Sequence, residues 1–164
     1  MDTKDKRKYR YLSWEDIEKA SLSIYSEMCR DGYAPQSIIA LLRGGIVPAR
    51  LFSDFFNILL DFFALDVTLY DSIGIRKPEP TIKPFNGDVK GKRVLIVDDI
   101  YDSGKTMKAV LEYLKGEDIT TATLYWKETA NGKPDYYAEV VKENEWLVFP
   151  FEKYEFWREI NGNK

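Results

Sequence analysis

Apolar residues recur at helical spacing from Trp14 through Ile17, Ser21, Ile24, Tyr25 and Met28. Ser13 and Asp16 stand before them in the order of a capping box, and Asp31-Gly32 closes the stretch, which predicts a first helix. From Ser37 to Leu42 the pattern changes to an unbroken apolar run, predicting a buried strand. The turn Arg43-Gly44-Gly45 and a helix with Pro48 near its first turn follow. Phe62 to Tyr70 predicts a second strand. The segment from Asp71 to Lys92, with Pro78, Pro80, Pro84, Gly87 and Gly91, is expected to be a flexible lid or binding loop. Val94 to Val97 is apolar at every position, which suits a strand covered on both faces of a parallel sheet. A helix from about Gly104 to Lys115 and a β-branched strand from Ile119 to Trp126 come next. Strands alternating with helices predict one α/β domain, a doubly wound and mainly parallel sheet flanked by helices. Beyond Asn131-Gly132 and Pro134 the chain turns aromatic, and residues 134–164 with the other terminus are expected to form a small hood.

Composition narrows the chemistry more than the fold. The chain has 164 residues, 45% of them hydrophobic, and a formal charge of -3, so one domain with a real core is expected and a nucleic-acid-binding surface is not. Lys4, Lys6, Arg7, Lys8 and Arg10 form a local basic cluster, expected to be a solvated tail. Asp61 and Asp66 interrupt the apolar stretch from Ile58 to Leu69, leaving no membrane span, and a cytoplasmic protein is expected. The single cysteine, Cys29, excludes an internal disulfide and is expected to be a core thiol on a helix face. There is no histidine. Ser/His and Cys/His nucleophile pairs are therefore excluded, carboxylates and lysines remain for proton transfer, and a metal held by oxygen points to Mg2+.

The stretch VLIVDDIYDSGKT, residues 94 to 106, concentrates that chemistry. It delivers Asp98 and Asp99 to the carboxyl end of a buried strand, where ligands bind in open α/β sheets. Adjacent carboxylates suit the vicinal hydroxyls of a ribose or a Mg2+ bridge. Ser103-Gly104-Lys105-Thr106 falls where a helix begins, an arrangement that holds phosphate. Sugar beside phosphate suggests a ribose 5-phosphate. Gly104-Lys105-Thr106 mimics the end of a nucleotide-triphosphate P-loop, but that motif needs glycine where Asp99 stands. Response-regulator domains also end a strand in two acids, but there it is the first strand.

These residues resemble the thirteen-residue phosphoribosyl-pyrophosphate motif of the type I phosphoribosyltransferases. Leu41-Leu42-Arg43-Gly44-Gly45 resembles the same family's pyrophosphate loop, and the resemblance covers roughly residues 36 to 152. Trp146-Leu147-Val148-Phe149-Pro150-Phe151-Glu152 is similar to the Trp-Ile-x-x-Pro-Trp-Asp segment of the xanthine-guanine enzymes on the 6-oxopurine branch. Glu152 stands where that segment has Asp.

The resemblance implies purine salvage: transfer of 5-phosphoribose from phosphoribosyl pyrophosphate to hypoxanthine, guanine or xanthine, giving a nucleoside 5′-monophosphate and pyrophosphate. It assigns the ribose to Asp98 and Asp99, the 5′-phosphate to Asp102, Ser103, Gly104, Lys105 and Thr106, and pyrophosphate to Leu42, Arg43, Gly44 and Gly45 with backbone N–H groups facing the anion. In that family the peptide before Arg43 is often cis. Asp102 is implied as general acid or base at the purine N7, and Lys127 as donor to the 6-oxygen. Trp146, Leu147 and Glu152 complete the base site, and Asp98, Asp99 and Glu152 the Mg2+ ligands. Tyr70, Asp71 and Ser72 are the lid positions of interest, and a homodimer or homotetramer is expected. Plainer roles stand beside these: a solvated acid pair at 98–99, an ordinary strand-to-helix turn at 43–45, a helix cap for Asp102, a solvated strand-end lysine for Lys127, and a core aromatic for Trp146. Transfer to adenine or a pyrimidine is one alternative; a regulator that senses phosphoribosyl pyrophosphate without catalysis is another.

Overall fold

The computed structural model describes residues 8–58, 61–72 and 75–162. Helix α1 (Trp14–Arg30) begins at the expected capping box: the Ser13 hydroxyl accepts the Asp16 N–H at 3.1 Å and the Asp16 carboxylate accepts the Ser13 N–H at 2.8 Å. Strand β1 (Lys8–Tyr11) precedes it. Then follow β2 (Ser37–Leu42), α2 (Ile46–Phe55), β3 (Phe62–Ser72), β4 (Ile75–Ile82), β5 (Arg93–Tyr101), α3 (Lys105–Tyr113), β6 (Asp118–Lys127), β7 (Tyr136–Val141), β8 (Glu145–Val148) and α4 (Lys153–Asn161).

Six strands form the main sheet in the order β4-β3-β2-β5-β6-β7, parallel throughout except for β4 against β3. Alternation along the central strands separates two cores. Ile38, Ala40, Leu95 and Val97 pack with Ile24 and Met28 of α1 and Phe52 of α2, while Ile39, Leu41, Val94 and Ile96 pack with Met107 and Val110 of α3. Side chains such as Phe52 and Ile96 are fully buried, each contributing about 1.5–3 kcal/mol relative to exposure. The chain leaves β2 toward β3 on one side and β5 toward β6 on the other, so their carboxyl ends border the crevice where strand order reverses.

Several expectations are corrected. The segment 71–92 is not loop throughout, because residues 75–82 pair antiparallel with β3. Side chains of residues 69–78, including Tyr70, Asp71 and Ser72, lie outside the described residues. Residues 136–141 belong to the main sheet, and the second, two-stranded sheet is formed by β1 and β8, with α4 beside it through Phe156 against Tyr9 and Tyr11. The basic cluster is no free tail at Arg10, whose guanidinium pairs with Glu139 of β7; Lys4, Lys6 and Arg7 lie outside the described residues. Cys29 is on α1 but exposed, since Met28 takes the inward position. Among the described residues no helix is long and apolar enough to cross a membrane.

Candidate active site

A pocket of about 300 Å³ opens at the carboxyl end of β5. Its walls come from the acid pair Asp98 and Asp99, the turn residues Asp102, Ser103, Gly104 and Thr106, Lys127 at the end of β6, and Trp146, Leu147 and Glu152 from the hood side. Strict alternation would send Asp98 and Asp99 to opposite faces of the sheet. The phase changes instead: Val97 and Ile100 both pack with the α1/α2 core, and Tyr101 joins the α3 core. Across that irregularity both carboxylates line one pocket, their oxygens accepting the next N–H groups along the chain, Asp99 to Asp98 at 3.0 Å and Ile100 to Asp99 at 2.7 Å.

The acids are crowded and poorly solvated. Burial pushes the Asp98 carboxyl up to about 7, with the charge of Glu152 adding to it and the Asp99 N–H opposing. Burial and then the neighbouring Asp98 raise Asp99 well above the usual carboxylate range. Glu152 rises to about 7, first by burial, then by the charges of Asp99 and Glu155, with Arg43 pulling it down. Such a cluster favours a cation. Among the described residues, however, no three acidic side chains converge closely enough to form a cage by themselves, which corrects the expected three-carboxylate ligand set. Mg2+ commonly takes one or two carboxylates and completes its shell with substrate oxygens and water, so the residues present fit it in that manner.

The phosphate turn is held from outside the motif. Gly104 is the N-cap of α3 with φ +84°, and a Cβ there would lie 2.3 Å from the Asn131 carbonyl. The Asn131 N–H donates to the Ser103 carbonyl at 3.2 Å, and the Tyr101 hydroxyl to the Asn131 carbonyl at 3.3 Å. The β6–β7 turn therefore clasps the turn that leads into α3, whose first N–H groups lack intrahelical partners and suit an anion. Asp102 is not the helix cap, a place taken by Gly104. Lys105 is exposed and its side chain does not line the pocket.

Lys127 is 13% exposed, which sets aside the solvated-lysine role. Its Nζ stands 3.8 Å from Asp102 Oδ1 and donates to the Glu143 carbonyl at 3.3 Å. The Glu128 carboxylate accepts the Glu143 N–H at 3.2 Å and fixes that carbonyl in turn. Trp146 is 38% exposed at the rim rather than a core residue, while Leu147 is buried.

Leu42, Arg43, Gly44 and Gly45 do not line this pocket; Gly44 adjoins it through Asp99. The Leu42–Arg43 peptide is cis. A Cβ on Gly44 would fall 2.2 Å from Asp99 Oδ2, and one on Gly45 would fall 2.3 Å from the Val97 carbonyl. The Gly45 N–H is committed to the Leu41 carbonyl at 2.9 Å, so the expectation that it faces an anion is corrected. Arg43 pairs with Glu155 of α4. Sequence reasoning missed Glu155, Asn131 and Tyr101. Asn131-Gly132 was visible as a turn, but its docking on the phosphate turn is a tertiary contact with no local signature.

Residues 10–155 match the family model described as a phosphoribosyl transferase domain. The chain belongs to the phosphoribosyltransferase family. Among relatives of this family, the xanthine-guanine phosphoribosyltransferase of Idiomarina loihiensis is 30% identical over 144 residues, spanning 87% of this chain and 86% of the relative. The crystal structure of a purine phosphoribosyltransferase from Pyrococcus horikoshii Ot3 superposes with a TM-score of 0.73 at 34% identity, over 87% of this chain and 93% of that one. The Helicobacter pylori xanthine-guanine-hypoxanthine phosphoribosyltransferase shares the fold, with a TM-score of 0.77 at 22% identity over 93% of this chain and 99% of that one. The type I phosphoribosyltransferase fold expected from the motif is thus the fold of this chain.

Proposed function

We propose that this phosphoribosyltransferase moves 5-phosphoribose from phosphoribosyl pyrophosphate to a 6-oxopurine, releasing pyrophosphate and a nucleoside 5′-monophosphate. The observation that carries this reading is the pair Lys127 and Asp102, 3.8 Å apart in the wall of one pocket. In a 6-oxopurine the 6-oxygen and N7 lie on the same edge of the ring. An ammonium and a carboxylate side by side match that edge, the lysine donating to the oxygen and Asp102 exchanging a proton at N7. Adenine would present its amino donor to the ammonium donor, a mismatch that a buried polar site rejects strongly. Trp146 at the rim covers the ring face and Leu147 supplies an apolar wall.

The sugar and phosphate follow from the neighbouring groups. Ser103, Gly104 and Thr106, with the first turn of α3, receive the 5′-phosphate, and Asp98 and Asp99 receive the ribose hydroxyls. This places the anomeric carbon between the acid pair and the base. As the bond from that carbon to the pyrophosphate oxygen breaks, positive charge grows on the ribose, and the nearby carboxylates stabilise it. The purine ring nitrogen across from N7 forms the new bond, and the proton on N7 passes to Asp102. Arg43 and Gly44 receive the departing pyrophosphate. Asp98 and Asp99 would hold Mg2+, which would supply charge neutralisation for the pyrophosphate.

The test is a Mg2+-dependent assay of pyrophosphate release from phosphoribosyl pyrophosphate, with hypoxanthine, guanine, xanthine, adenine, uracil and orotate supplied separately. Release with 6-oxopurines alone is expected. Release with adenine would overturn the role of Lys127, and silence with every base would favour a sensor that binds without turnover.

A further inference from the structure

We propose that Glu155 of α4 holds the guanidinium of Arg43 and competes with pyrophosphate for it, setting the affinity for that end of the substrate. The proposal rests on the assignment of Arg43 to pyrophosphate made above and extends it to a residue outside the binding loop.

Arg43 sits on the turn after β2 with its side chain 77% exposed, and its ion pair is with Glu155. Arginine presents the same planar fork of donors to a carboxylate and to a phosphate, so one anion can replace the other without moving the backbone. The backbone here is fixed independently of Glu155. Gly45 is tied to the Leu41 carbonyl, and Gly44 is packed against Asp99 with no room for a Cβ. Helix α4 buries no side chain completely and stands on Phe156 against Tyr9 and Tyr11, so it too has support besides the ion pair. An exposed pair of this kind contributes about 0–1 kcal/mol to stability. Its consequence is therefore greater for the availability of Arg43 than for the fold. Glu152, one helical turn before Glu155, responds electrostatically to both Arg43 and Glu155, which puts all three within reach of one another at the edge of the acid cluster. A pyrophosphate arriving there has to displace the Glu155 carboxylate from Arg43.

The experiment is calorimetric titration of the full-length enzyme with inorganic pyrophosphate at saturating Mg2+, for wild type, Glu155→Gln, Arg43→Ala and the double variant, with steady-state kinetics on the first two. Glu155→Gln is expected to bind pyrophosphate roughly two- to fivefold tighter, the factor that releasing one exposed charge pair gives. It should lower KM for phosphoribosyl pyrophosphate by a similar factor without raising kcat. In the Arg43→Ala background the same substitution should change nothing. Equal affinity for wild type and Glu155→Gln, or an equal gain with and without Arg43, would overturn the competition. If Arg43→Ala alone leaves pyrophosphate affinity untouched, the loop assignment itself is wrong and the proposal falls with it.

Discussion

Replacing Glu152 with Gln should stabilise the ligand-free enzyme at alkaline pH and leave it unchanged at acidic pH. Glu152 is displaced from an ordinary value of 4.5 to about 7 by burial and by the charges of Asp99 and Glu155. Each pH unit of displacement corresponds to about 1.4 kcal/mol, giving roughly 3 kcal/mol, and solvent screening at this half-buried group reduces that to about 1–2 kcal/mol. Below pH 4.5 the carboxyl is protonated in folded and unfolded chains alike, and it costs nothing. As pH rises from 4.5 to 7 the unfolded chain releases its proton first, so the folded state loses stability, and above 7 the loss is complete. Removing the charge should therefore raise the melting temperature by about 3–6 °C at pH 8 for a domain of this size, and by almost nothing at pH 4.5. Scanning calorimetry of both proteins at the two pH values, without Mg2+ or substrate, measures it. A gain of the same size at both pH values, or a loss at pH 8, would refute the claim that burial and the neighbouring acids make the Glu152 charge unfavourable.

Asp102→Asn should lower kcat by about two to four orders of magnitude while leaving phosphoribosyl pyrophosphate binding within a few-fold, as expected of a lost acid or base; unchanged turnover would remove Asp102 from proton transfer. Gly44→Ala and Gly45→Ala should part company. In the first the new methyl displaces the Asp99 carboxylate, so KM for phosphoribosyl pyrophosphate rises while the fold survives; in the second it meets the Val97 and Leu41 carbonyls and costs about 1–3 kcal/mol of stability. Melting curves and kinetics on the two variants decide this, and a kinetically silent Gly44→Ala would contradict the placement of Asp99.

The parts of this enzyme legible in its sequence are those where local pattern and tertiary role coincide. The run Val94 to Val97 is apolar because both faces of β5 are covered, and the acids follow because the strand ends at a crevice. The capping box at Ser13 and Asp16 is satisfied within its own turn. Strand β1 escaped notice because KYRY has three exposed positions out of four and pairs with β8 across most of the chain's length. Helix α4 escaped because it buries no side chain completely, leaving little apolar stripe to read. At the site, residue types could be named from the motif, but the change of phase between Val97 and Tyr101 could not. It decides that Asp98 and Asp99 serve one pocket rather than two faces. Arg43 was visible as a cation after a strand, whereas its partner Glu155 lies far along the chain and is brought there only by the packing of the hood.

The most direct test of the whole account is a crystal structure of the enzyme with guanosine 5′-monophosphate and Mg2+. The account places the 5′-phosphate in the turn from Asp102 to Thr106, the ribose hydroxyls on Asp98 and Asp99, and the guanine against Trp146 with its 6-oxygen at Lys127 Nζ. A nucleotide bound in the opposite direction, or seated away from the carboxyl end of β5, would contradict it.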